Sequence, residues 1–70
     1  MADPRLGNRL REFRTQRGLT QTQLAMQIGV SRKTINTVEN SIFVPSTVLA
    51  LNLAHALKTS VEELFFLLKN

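Results

Sequence analysis

Seventy residues leave room for one small domain and none for a separate catalytic one, and a composition of 43% hydrophobic and 20% charged residues describes a chain that folds. With no cysteine, neither a disulfide nor a thiolate metal site can staple the fold; the core alone must offset the ordering entropy, which suits a reducing cytosol. The net charge of +4 rests on the first forty residues, where Arg5, Arg9, Arg11, Arg14, Arg17, Arg32 and Lys33 outweigh Asp3, Glu12 and Glu39, so nucleic acid leads the partner classes. The opening stretch MADPRLGNRLREF carries charge every few residues, and nowhere do 18 uncharged apolar residues run together; the expectation is a cytoplasmic chain with no membrane contact.

Apolar spacing is helical throughout, and no run alternates with period two for long enough to suggest a half-buried strand. An all-α, five-helix domain over residues 1–70 is therefore expected. Asp3 caps a first helix with Pro4 at its first position; Leu6, Leu10 and Phe13 form its buried stripe, and the helix ends near Arg17. Gly18 supplies the left-handed stop, and Leu19 packs back after it. Thr20 and Gln23 form a capping box for a second helix with Leu24, Ala25 and Ile28 inward, closed by Gly29. Ser31 caps a third helix with Ile35 and Val38 inward, so three residues separate two short helices and force a steep crossing. This is a helix-turn-helix pattern over residues 20–40.

Residues 40–46, NSIFVPS, read as a loop, and Pro45 with Ser46 starts a fourth helix with Leu49, Leu53, Ala56 and Leu57 on its core side. Ser60 and Glu63 give a second capping box for a fifth helix, with Val61, Leu64, Phe65 and Leu68 on one face. That helical wheel leaves Phe66 at about 140° and Leu67 at about 240° from Val61, outside the core, and Leu51, Val48 and His55 fall opposite Leu49. Phe66, Leu67, Leu51 and Val48 are accordingly expected to form a two-fold homodimer interface, the alternative for the first two being packing against Ile42 and Phe43.

On the third helix, with Ile35 inward, Lys33 falls at about 160°, Thr37 at about 200° and Asn36 at about 100°, all facing away from the core. Arg32 lies on the flank at the first turn, where its length carries it past the helix end. Arg32 and Lys33 suit the guanine acceptors of a major groove, and the Thr37 methyl suits a thymine methyl, so these three are the candidate base readers. Gln21, at the start of the second helix, is expected to hydrogen-bond a phosphate, with Asn36, Asn40 and Thr34 as further backbone contacts. Glu39 falls at about 40°, on the inward side, where a carboxylate needs a partner.

Across residues 5–68, the stretches LREFRTQRGLTQTQLAMQIGVSRKTINTVE, PS at Pro45 and Ser46, LALNLAHAL and SVEELF resemble the Xre/Cro-like helix-turn-helix repressors. The resemblance implies a lambda-repressor-like five-helix DNA-binding domain, usually dimeric, whose third helix enters the major groove while the second lies across the backbone. It also implies that Arg14 pairs with Glu39, fixing the third helix on the domain while Arg14 offers its remaining donors to phosphate. Many members carry Glu-Asn-Gly-Lys after the third helix, whereas Glu39 here is followed by Asn40, Ser41 and Ile42.

The rest reads without special chemistry. His55 stands alone, so no metal site is expected; Ser31, Ser46 and Ser60 are caps, and Glu62 and Glu63 complement a helix dipole. The expectation is a non-enzymatic, sequence-specific regulator of double-stranded DNA, a repressor with no cofactor and no small-molecule ligand domain. Alternatives are a DNA-binding antitoxin, a restriction-modification controller, and, from another class, a protein-interaction module that does not bind DNA.

Overall fold

The computed structural model describes residues 6–68. Among them the chain runs β1 (Leu6–Asn8), α1 (Leu10–Gln16), α2 (Gln21–Ile28), α3 (Arg32–Glu39), α4 (Thr47–Ala56), α5 (Val61–Leu64) and β2 (Phe65–Leu67). Five helices are present as expected, joined by one feature the periodicity concealed. β1 and β2 pair antiparallel, Leu6 opposite Leu67, Gly7 opposite Phe66 and Asn8 opposite Phe65, and Arg9 N–H extends the ladder to Leu64 O at 2.8 Å.

This ribbon corrects both ends of the sequence reading. α1 begins at Leu10, not near Pro4, because Asn8 supplies the start signal: its Oδ1 accepts the Leu10 N–H at 3.0 Å. Leu6 is half-buried on a strand, and the expected Asp3 cap and Pro4 lie outside the described residues. Gly7 is buried because the Phe66 ring lies where a Cβ would stand, and the Arg9 guanidinium covers that ring at 4.6 Å from its centre. At the other end α5 stops at Leu64 and the chain extends. Alternation then puts Phe65 into the core and Phe66 onto Gly7, so Phe66 and Leu67 point to opposite sides and do not share a helical face. Phe66 is half-buried against Gly7, while Leu67 is 79% exposed, so the two do not form the single exposed patch that a helix would have given them.

Between these ends the local signals hold. Gly18 and Gly29 adopt φ +70° and +75° after α1 and α2. Thr20 and Gln23 complete both halves of their capping box, and Ser31, Ser46 and Ser60 accept the backbone N–H of Thr34, Leu49 and Glu63. The second half of the Ser60 box is missing, because the Glu63 carboxylate accepts from the Thr59 hydroxyl at 2.7 Å.

The core gathers Leu10, Leu24, Ile35, Leu53, Leu57 and Leu64, each fully buried, with Val38, Ala25 and Phe65 around them. On α4 the buried stripe is Ala50, Leu53 and Ala54, continued by Leu57 at the C-cap, while Leu49 and Ala56 are half-buried. The helix is rotated from the expected face because it packs on both α2 and α5, where small side chains allow close approach. The arrangement seats α3 across α2 with one face locked and the other open.

Candidate nucleic-acid interface

α3 is held by more than its apolar stripe. Glu39, at its last turn, has a side chain with no solvent exposure, and three residues converge on its carboxylate. Arg14 Nε donates to Oε2 at 2.6 Å and Arg14 Nη2 to Oε1 at 3.3 Å; Gln21 Nε2 donates to Oε1 at 3.0 Å, and Arg11 Nε reaches Oε1 at 3.4 Å. Arg14 Nη1 also donates to Leu19 O at 2.8 Å, tying the α1–α2 turn to the same group. Burial by itself pushes the Glu39 carboxyl up, but the hydrogen bonds from Arg14 and Gln21, the Arg14 charge and the Arg11 hydrogen bond outweigh it, leaving it below the usual carboxylate range. Among the described residues no buried side-chain polar atom lacks a partner. α1, α2 and α3 are thereby fastened at one polar knot.

The same knot reaches the open face. Gln21 Nε2 donates a second time, to Asn36 Oδ1 at 3.3 Å, and Gln21 Oε1 accepts from Arg32 Nη1 at 3.1 Å. Both amide hydrogens of Gln21 are thus engaged. Its side chain is a bridge from Glu39 to Arg32 rather than the free phosphate donor expected from its place at the start of α2. Asn36 also accepts Asn40 Nδ2 at 3.1 Å, and Asn40 Nδ2 donates to Asn36 O at 2.9 Å. The Arg14 side chain is 11% exposed, which leaves it little reach for phosphate beyond its structural bonds.

Arg32 and Lys33, by contrast, are exposed at the first turn of α3. Thr37 is half-buried and its hydroxyl donates to Thr34 O at 3.0 Å, so its methyl is the group it can offer outward. The Thr34 and Ser31 hydroxyls lie 3.0 Å apart. Beside Arg32, an open hollow of about 420 Å³ lies over the α1–α2 turn and the first residues of α2, lined by Arg14, Thr20, Gln21, Thr22 and Arg32. The exposed Arg32 and the uncapped backbone N–H groups at the start of α2 border that concavity, an arrangement suited to an anion.

A helix-turn-helix with a braced inner face and a basic, exposed first turn on its second helix defines a class of protein, and the comparisons agree. The family model described as a helix-turn-helix domain matches residues 5–65. The chain belongs to this family, as its sequence resemblance implied. An HTH-type transcriptional regulator of Archaeoglobus fulgidus is 42% identical over 57 residues, covering 81% of each chain, and the regulator YgzD of Bacillus subtilis is 35% identical over 60 residues, covering 86% of this chain and 91% of its own. Among solved structures, the restriction-modification controller protein C.AhdI from Aeromonas hydrophila superposes with a TM-score of 0.74 at 42% identity, over 79% of this chain and 83% of its own.

Proposed function

We propose that this chain is a sequence-specific repressor that binds double-stranded DNA as a homodimer, without catalytic activity or cofactor, in the cytoplasm. One observation carries the reading. The inner side of α3 is locked by Ile35, Val38 and the buried Glu39 knot, while Arg32 and Lys33 project from its first turn with Arg32 held in place by Gln21. A helix fixed at one end with long cations at the other is built to enter a major groove, where Arg and Lys meet guanine N7 and O6. Thr37 completes the base-reading set. Thr34, Asn36 and Asn40 border it as backbone contacts, and the hollow beside Arg32 takes a phosphate.

The dimer reading rests on exposed apolar side chains away from that face. Val48, Leu51 and Leu67 are all exposed. Leu51 lines an apolar groove of about 360 Å³ with Val44, Pro45, Ala50 and Leu6, the strand neighbour of Leu67. An isologous contact through this patch sets two recognition helices about 34–36 Å apart and calls for a near-palindromic operator. Among the described residues no helix is long and apolar enough to cross a membrane. The 42% identity to C.AhdI favours one role within this reading, that of a restriction-modification controller.

Selection of bound duplexes from random DNA tests the reading together with sedimentation. Two inverted half-sites about one helical turn apart, and folded monomers from Leu51→Glu with Leu67→Glu, are expected. A single asymmetric half-site bound by a monomeric wild type contradicts the dimer.

A further inference from the structure

The loop after α3 shows apolar side chains where a surface meant only for phosphate has no use for them. Ile42 is 68% exposed and Phe43 46% exposed, and both line one groove with Ser31, Lys33, Thr34 and Thr37 of α3. The loop holds them firmly. The N–H groups of Ile42 and Phe43 donate to Thr37 O at 2.9 and 3.3 Å, Ser41 N–H donates to Val38 O at 3.1 Å, and Asn8 Nδ2 donates to the same Val38 carbonyl at 3.0 Å. Ser41 takes the left-handed conformation, φ +60°, to fold the chain back in this way. The outward face of α3 therefore continues into a fixed apolar wall, and its nearest reading residue, Thr37, has already committed its hydroxyl to Thr34 O.

The base edges of a major groove carry one apolar group, the C5 methyl of thymine, which 5-methylcytosine shares. We propose that the groove formed by Thr37, Ile42 and Phe43 receives the C5 methyl of a pyrimidine in the operator, making Ile42 and Phe43 specificity-determining residues. The inference rests on the reading of the chain as a sequence-specific DNA binder. A second copy fits this groove less well. Lys33 forms part of it, so a two-fold contact here would bring like charges together, whereas a polyanion is complementary to that charge. Burial of one methyl group changes affinity by about four-fold.

The test uses the full chain and its selected duplex. Each thymine is replaced in turn by uracil, which removes the C5 methyl alone, and each cytosine by 5-methylcytosine, which adds one. Affinities are measured for the wild type and for Ile42→Ala with Phe43→Ala. At one position in each half-site, uracil is expected to weaken wild-type binding about four-fold if thymine is read, or methylation to strengthen it about four-fold if 5-methylcytosine is read. The variant loses that sensitivity and binds the unmethylated duplex within about two-fold of the wild type. Should the double variant fail to fold by circular dichroism, Ile42→Ser alone, at the more exposed position, is put through the same comparison. A wild type indifferent to every C5 methyl, a variant with undiminished sensitivity, or a variant altered in sedimentation instead overturns the inference while leaving DNA binding intact. Failure of the wild type to prefer any duplex overturns the regulator reading and this inference with it.

Discussion

Replacing Glu39 by Ala removes the acceptor on which Arg11, Arg14 and Gln21 converge, and its cost can be worked from the contacts. Arg14, with 11% of its side chain exposed, would retain Leu19 O as its partner in the knot while its charge stayed buried. Breaking a buried ion pair from one side costs about 3–5 kcal/mol. A domain of this size has roughly 4–10 kcal/mol in total, so Glu39→Ala is expected to lose a large share of its stability. The melting temperature should fall by roughly 12–40 °C, since about 1 kcal/mol corresponds to about 4–8 °C in so small a domain. Arg14→Ala should be milder, because Glu39 keeps Arg11 and Gln21 and can also take up a proton. Thermal and urea melts followed by circular dichroism measure both. Melting of Glu39→Ala within a few degrees of the wild type would refute the claim that this knot fastens α3.

Acid should act through the same carboxylate. Its pKa in the fold lies below its unfolded value of about 4.3, so its contribution is complete above that value and is lost as pH falls through the folded one. Urea titrations should therefore show the stability gap between wild type and Glu39→Gln constant from about pH 7 to about 5.5 and shrinking below about 4.5; a gap that does not move with pH counts against it. Ser41→Gly should raise stability by about 0.5–1 kcal/mol, because the left-handed φ of +60° then carries no Cβ penalty, and an unchanged urea midpoint would show the turn to be unstrained. Gly7→Val should cost about 1–3 kcal/mol by forcing the Phe66 ring and the stacked Arg9 away, with part of the loss recovered when Phe66→Ala is added; equal losses with and without Phe66 would exclude that clash.

What could be read in advance was local. Thr20, Ser31, Ser46 and Ser60 cap the helices that follow them within three residues, and that chemistry needs no knowledge of the rest of the fold. The inward placement of Glu39 followed from helix geometry, and its partner from resemblance to other chains. The start of α1 was hidden because Leu6 and Leu10 have helical spacing, while the competing interaction, Gly7 beneath Phe66, joins opposite ends of the chain. The run FFLL is equally compatible with both periods, and pairing with β1 decides it. On α4 the large side chains suggested the core face, but packing against both α2 and α5 turned Ala50 and Ala54 inward. The bridging role of Gln21 depends on the angle between α2 and α3, which no spacing rule supplies.

The central claim is that the exposed first turn of α3 reads DNA sequence. It is tested most directly by comparing wild type with Arg32→Ala plus Lys33→Ala, each titrated against the selected duplex and against an unrelated duplex of equal length. Both substitutions lie on the exposed face, so the variant should melt like the wild type. Base-reading pairs contribute about 1–3 kcal/mol each, so the preference for the selected duplex should fall by roughly 30-fold or more, leaving weak binding alike to both DNAs. A folded variant that keeps the wild-type preference would contradict the account.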